Sequence, residues 1–383
     1  MKKTLIFGAI FLALALLCSA QAARAELAPS GPAPVIDVFT MGPGDYLFSR
    51  FGHAAICVTD ADSPSGRCYN YGTADFSTPG PLTWGIVRGN ADFWVSVVPL
   101  ARMLAIYTFE NRTLYRQRLP LDEATARKLA TTLHAADVRS ATLYHYHHFN
   151  DNCTTRIRDL IDTATAGKLG EGTKAPLDPP LRSYVYAGLL GEYSALAVSE
   201  LALGRLIDRP SSRWQGMFLP AVLRSEIAQK FGAPVETFYE RSDRGTAVPG
   251  GHPRAGTLLL AFVGLALAGL ILLGARIGRP RLGRTAAALP LGVIALALLV
   301  VAVASPAAEL RYNETLLILW PTDLALPFFS RPATQRYCQL RLLGLALCIL
   351  ASLVHLLIQP LAGPLLLAGL PLLAAWAIAR FWK

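Results

Sequence analysis

Residues 149–160 read FNDNCTTRIRDL, and a cysteine enters this stretch where a helix begins. Ile157, Leu160, Ile161 and Ala164 recur at helical spacing, and Asp151 or Asn152 supplies the short polar side chain that caps a helix start. The Cys153 thiol is therefore expected on a helix N-terminus. Free N–H groups and the positive end of the helix dipole gather there, and both favour thiolate over thiol. Such a nucleophile needs a base. His53 is the best candidate, set between Gly52 and two alanines in the apolar stretch FGHAAICV, residues 51–58, where a strand would hold the imidazole rigidly and small neighbours leave room for a substrate.

Composition places this chemistry outside the cytoplasm. The 383 residues are 53% hydrophobic and 16% charged, with mean hydropathy +0.38, too apolar for an ordinary soluble domain. The start, Met-Lys-Lys, an apolar run from Thr4 to Leu17, then CSAQAARA, has the three parts of a secretory signal peptide, with cleavage expected near Ala22 or Ala25. Cys18 follows Leu17 rather than a small residue and is expected to leave with the signal. Residues 1–25 are thus assigned to the signal, 26–254 to an exported catalytic domain and 255–383 to a membrane domain, with the polar stretch Glu240–Gly256 as the join.

The apolar residues concentrate at the C-terminal end. Runs at 257–275, 286–304, 342–359 and 363–379 approach or reach the ~20 residues that cross a bilayer, and a weaker run covers 314–330. Arg276, Arg279, Arg281 and Arg284 follow the first run, Arg331, Arg336 and Arg341 follow the weak one, and Arg380 and Lys383 end the chain. Basic loops stay in the cytoplasm, so all three clusters lie inside only if the weak run also crosses. The expectation is a transmembrane domain of about five helices, four of them clear, with a re-entrant or interfacial segment as the alternative for 314–330 because of its Pro321, Asp323 and Pro327. These arginines also account for much of the net charge of +10, and no basic and aromatic ladder points to nucleic acid.

Within the exported part, 35–60 and 67–75 read as strands joined by the turn material DADSPSG, which puts Cys57 and Cys68 on the two arms of a hairpin. Pairing in an oxidising compartment and two separate thiols are both open. LDEATARKLATTLHAAD, residues 121–137, reads as an amphipathic helix with Ala126, Leu129, Ala130 and Leu133 inward, and 181–235 as mostly helical. His145, His147 and His148 do not share one strand face, and no metal-ligand spacing supports them, so neither metal nor cofactor is called for. In the membrane part, Asn313, Glu314 and Asp323 are unusual, because an ionisable group at depth costs ~2.5–3.5 kcal/mol on insertion scales. Asn313 and Asp323 are kept as a candidate membrane-domain site.

The strings FGHAAICV, YNYGTADF, FNDNCTTRIRDL, LALGRLIDRPSSRWQGMFLP and YNETLLILWPTDLALPF together resemble the Lnb-type lipoprotein N-acyltransferase family. The resemblance implies an α+β fold: an exported permuted papain-like domain, related to the NlpC and lecithin:retinol acyltransferase groups, followed by an all-α multi-span membrane domain. His53 and Cys153 match the family's dyad. It further implies a bacterial inner-membrane enzyme that takes a fatty acyl group from a phospholipid through a Cys thioester to the N-terminal amine of a diacylglyceryl-cysteine lipoprotein. The Cys153 N–H and Asn152 are then oxyanion candidates, and Tyr69, Tyr71 or Asp75 would orient the imidazole, a choice that spacing leaves open. Arg156, Asn90 and Trp94 are candidate substrate contacts, with ion pairing the rival role for Arg156 and its neighbour Arg158. A phospholipase, a peptidoglycan amidase or peptidase with the same dyad, and a non-catalytic scaffold are the alternatives.

Overall fold

Val35–Met41 (β1) is buried along almost its whole length, which is how a strand covered on both faces reads. It pairs antiparallel with His53–Asp60 (β2), which pairs with Ser63–Thr73 (β3); the sheet continues through Asp92–Pro99 (β4) to Tyr144–His145 (β6) and, from β1, through Leu114–Arg118 (β5) to Glu236–Tyr239 (β7). This computed structural model describes residues 31–136, 142–242 and 252–382, so the expected signal peptide and Cys18 lie outside the described residues.

The expected strand over 35–60 is two strands. Between them residues 42–52 make a 3-10 turn, Leu47–Ser49, and Gly52 adopts φ +82°, a backbone conformation that glycine takes without Cβ strain. The hairpin turn is also tighter than the string DADSPSG suggests, because β3 starts at Ser63. Cys57 and Cys68 face each other in register and form a disulfide.

Helices cover both faces. Leu100–Phe109 (α2) packs over Cys57, Cys68, Phe39 and Met41. On the opposite face Glu123–Ala135 (α3) turns Ala126, Leu129, Ala130 and Leu133 inward, as its periodicity predicts, with Asp122 as cap. Beside it Cys153–Ala164 (α4) buries Ile157 and Ile161 against Ala54, Ile56, Tyr69 and Tyr71. The helical stretch that follows forms Leu181–Gly188 (α5), Tyr193–Ala202 (α6) and Pro220–Phe231 (α7), while Pro79–Val87 (α1) lies between β3 and β4.

The second part is a helical bundle. Ala255–Arg276 (α8), Pro280–Ala304 (α9), Arg331–Leu353 (α10) and Ala362–Phe381 (α11) are long and apolar enough to cross a membrane. The chain therefore has four such helices among the described residues, not about five. The weak run folds instead as two 3-10 segments, Glu314–Leu317 and Pro321–Phe328. Pro321 and Pro327 supply no N–H to a helical ladder. Asp323 is fully buried and accepts from Arg341 Nε at 3.0 Å, Arg341 Nη2 at 2.9 Å and the Tyr337 hydroxyl at 2.7 Å. Arg341 is thus not a loop residue: α10 starts at Arg331, well before its apolar run, and carries this arginine inside the bundle.

The irregular segment nonetheless runs between the two ends of the bundle. Asn313 Nδ2 donates to Leu201 O at 2.7 Å, at the end where α8 begins, whereas Phe329 O accepts from Arg284 at 3.1 Å, near the start of α9. Arg331 in turn donates to Ala379 O, at the end of α11. Arg284, Arg331 and the C-terminal turn of α11 consequently share one end of the bundle.

The two parts meet through buried polar contacts. Glu200 of α6 accepts from Gly363 N at 3.0 Å and from the Thr257 hydroxyl at 2.9 Å, thereby capping the first turn of α11. Glu314 accepts from the N–H groups of Ile358 and Gln359 and pairs with Arg205 at 3.2 Å.

Candidate active site

The helix carrying Cys153 begins at that residue because Asn152 stops the chain from entering it in helical conformation. Asn152 Oδ1 accepts from Thr154 N at 2.8 Å and Thr155 N at 2.9 Å, while Asn152 N donates to the Thr155 hydroxyl oxygen at 2.7 Å, which completes a capping box. Asn152 Nδ2 is also committed, donating to His148 O at 2.7 Å and Phe218 O at 3.0 Å. All four bonds of its amide hold the helix start, so Asn152 is a cap and not an oxyanion donor. The Cys153 N–H stays outside the capping box.

Cys153 is set against β3 at Gly72. There φ is +89°, and a Cβ would lie 3.4 Å from Cys153 Cβ. His53, the first residue of β2, reaches the same end of the sheet. Its ring stacks on Tyr107 of α2 at 5.8 Å between centroids, and its Nε2 is 3.4 Å from Asn70 Oδ1. Asn70 thus occupies the orienting position for which Tyr69, Tyr71 and Asp75 were the candidates. Strand alternation separates them: Tyr69 and Tyr71 lie in the cluster under α4, and Asp75 accepts from the N–H and hydroxyl of Ser77 in the turn after the strand.

The electrostatics agree with this geometry. Burial alone would raise the Cys153 thiol, but the His53 charge and hydrogen bond, a bond with Thr154 and the Ala54 N–H outweigh it and bring the pKa down to about 7. A substantial thiolate fraction is present at neutral pH. Thr154 Oγ1 lies 3.6 Å from Sγ.

One group in this site has no sequence signal. The Tyr144 hydroxyl is buried with no hydrogen-bond partner, and a Cβ on Gly72 would lie 3.9 Å from it and 3.4 Å from Cys153 Cβ, so both groups face the same glycine. Burial, then the neighbouring Cys153 charge, raises its pKa and keeps it a proton donor. The histidines of YHYHHF, residues 144–149, lie elsewhere. His148 is enclosed by the rings of Phe51, Phe149 and Phe218, and burial, with the charge of His147, pushes it down to about 4. His147 lies 3.5 Å from Glu309 of the bundle.

The remaining candidates do other work. Arg156 forms a two-pronged ion pair with Asp151, with Nη2 to Oδ2 at 2.7 Å, and covers the Tyr144 ring at 4.2 Å. Arg158 pairs with Asp159 and stacks on Trp214. Asn90 is exposed in the turn after α1, bonded through its N–H to Gly85 O, and Trp94 is half-buried in β4 opposite Thr73. Asn313 and Asp323 are both engaged within the bundle and its junction with α6, so they do not form an open membrane-domain site.

A half-buried cysteine and histidine meet on an α+β domain that is joined to four apolar helices. Residues 27–193 match the family model described as the Lnb N-terminal periplasmic domain. The match includes both His53 and Cys153 and makes this a membrane protein with a periplasmic domain. No curated protein and no solved structure gives a match.

Proposed function

We propose that this chain is an inner-membrane thiol acyltransferase that moves a fatty acyl group from a phospholipid, through a thioester on Cys153, to the N-terminal amine of a diacylglyceryl-cysteine lipoprotein. The observation that carries the reading is a thiol of pKa about 7 held against His53 at the end of a sheet whose domain is fixed to four apolar helices. The order of strand histidine, strand asparagine and helix cysteine supports a permuted papain-like site.

The thiolate attacks the ester carbonyl, forming the carbon–sulfur bond and placing negative charge on the carbonyl oxygen. The Cys153 N–H and the Tyr144 hydroxyl are the two donors positioned for that oxygen. As the intermediate collapses, the carbon–oxygen bond breaks and His53 gives its proton to the departing alkoxide, releasing lysophospholipid. The acceptor amine then attacks the thioester and loses a proton to His53, and Cys153 leaves as thiolate. Asn70 holds the ring through both steps. Tyr144→Phe is expected to lower the acylation rate by ~10²–10³-fold without changing the pH midpoint of Cys153 alkylation, since one oxyanion donor is lost and the thiolate is not. A shifted midpoint with unchanged acylation would place the hydroxyl on the sulfur instead.

The deciding test is the intact mass of the purified protein after incubation with phospholipid, wild type beside Cys153→Ser, with and without hydroxylamine. A hydroxylamine-labile fatty acyl adduct on the wild type alone is expected, and adding a diacylated lipopeptide should discharge it as an N-acyl amide. Discharge to free fatty acid only would make the protein a phospholipase. Cleavage of cell-wall peptides with no acyl adduct would make it an amidase or peptidase, and retained function in the Cys153→Ser strain would make it a scaffold.

A further inference from the structure

Helix α1 has the sequence PGPLTWGIV and not one fully buried residue. Trp84 is 43% exposed on it, and Arg88, its C-cap, is exposed as well. Leu82 and Ile86 pack on the domain's apolar cluster, whereas Pro79, Pro81 and Trp84 are left exposed on the other side, an apolar surface that suits something other than water. Its surroundings say what that is. Gly89, directly after the helix, packs on Pro306, where a Cβ would come within 2.6 Å of the proline ring, and Pro306 follows closely on the last residue of α9, Ala304. The end of α1 thus rests on the periplasmic rim of the bundle, at the level where apolar helices give way to polar surface.

The aromatic residues beside α1 lead from this level to the nucleophile. Phe48, 59% exposed in the 3-10 turn before His53, lies 5.7 Å from Phe76, 50% exposed in the loop from Gly72 to α1. Phe76 meets the buried Phe93 at 6.4 Å, and Phe93 stacks on Tyr146 at 4.5 Å. Tyr146 and Cys153 pack on the same apolar cluster as Phe93. The turn bearing Phe48 is itself anchored towards the bundle. Arg50 pairs with Glu192 at 2.6 Å, just before α6, and α6 lies on α8 so closely that a Cβ on Gly256 would reach the Leu196 backbone at 2.8 Å.

We infer that Phe48, Phe76 and Trp84 form an apolar rim that enters the outer leaflet and admits the acyl chain of a phospholipid along Phe76, Phe93 and Tyr146 to Cys153. The inference rests on the acyl-transfer reading and gives it an entry route. Aromatic side chains suit this depth, because their rings tolerate the border between headgroups and chains. Arg88 beside them is placed to meet lipid phosphate.

The test separates the route from the reaction. Full-length Cys153→Ala protein in nanodiscs of phosphatidylethanolamine and phosphatidylglycerol, a fraction carrying a diazirine on the acyl chain, is irradiated and its peptides mapped by mass spectrometry. Adducts are expected on the peptides containing Phe48, Phe76 and Trp84 as well as on the four long helices; adducts confined to those helices would overturn the inference. In an otherwise wild-type chain, Phe48→Ser/Phe76→Ser should slow acyl-adduct formation from bilayer phospholipid by about tenfold or more, from the loss of two apolar contacts, while iodoacetamide alkylates Cys153 at the wild-type rate. Unchanged acyl-adduct formation would overturn the entry route. Rim adducts in a protein whose wild type never acquires an acyl group would sustain the lipid surface and overturn the acyl-transfer reading.

Discussion

Replacing His53 with alanine is expected to move the alkylation of Cys153 to higher pH and to lower acylation by ~10²–10⁴-fold. In the wild type the thiol loses its proton around pH 7, because the His53 charge and hydrogen bond help to outweigh a burial penalty of opposite sign. Without the imidazole that penalty is opposed only by the weaker hydrogen bonds. The midpoint then rises to the free-thiol range near ~8.5 or beyond, and the thiolate fraction at pH 7 falls from about half to a few per cent. Lost thiolate alone explains about one order of magnitude. The rest of the expected loss is proton transfer from the imidazolium to the departing alkoxide. Iodoacetamide alkylation of the purified full-length protein between pH 5 and 10, read by intact mass, measures the first effect independently of any lipid substrate. An unshifted midpoint in His53→Ala would remove His53 from the site.

Breaking the Asp323–Arg341 pair is expected to be the most destabilising single change in the bundle. Both side chains are 1% exposed, and the guanidinium also donates to Ile318 O at 2.7 Å and lies over the Trp320 ring at 4.4 Å. Asp323→Leu leaves a fixed positive charge in an apolar interior, where an unpaired ion costs ~3–5 kcal/mol. The double variant Asp323→Leu/Arg341→Met removes both charges and should recover most of that loss, since an apolar pair of similar volume can replace a buried ion pair. Unfolding of the detergent-solubilised protein, followed across the two single variants and the double, reads the coupling directly. Equal losses in the Asp323 variant and the double would show that the irregular segment depends on the individual side chains and not on their pairing.

Cys153 was legible as the candidate nucleophile because three local signals agree at one point: an asparagine cap, apolar residues at helical spacing and a cysteine between them. His53 was legible from its small neighbours. Asn70 was not, because YNY offers three polar side chains in a row and only the strand's phase decides which one faces the histidine; a slip of one residue exchanges the faces. Tyr144 was invisible for a different reason. Its importance lies in a hydroxyl with no partner, and an unmet bond is a property of the folded surroundings and not of a residue type. The same distinction explains the bundle. Four long helices follow from apolar run length, whereas the short 3-10 segments and the early start of α10 depend on Asp323 finding Arg341, a pairing that hydropathy reads only as two unfavourable residues.

The cap that Glu200 places on α11 gives the boundary between the two parts a meaning beyond connectivity. A carboxylate from the periplasmic side satisfies the first turn of a membrane helix, and Gln359 and Glu314 tie the same junction. The periplasmic domain is therefore not a tethered module free to search the space above the bilayer. It works at one height and one tilt, like a tool clamped to a bench. A substrate's position in the leaflet then becomes a selection criterion, because a scissile ester that sits too deep, or an amine held too far out, never comes into register with Cys153 however well its chemistry suits the site.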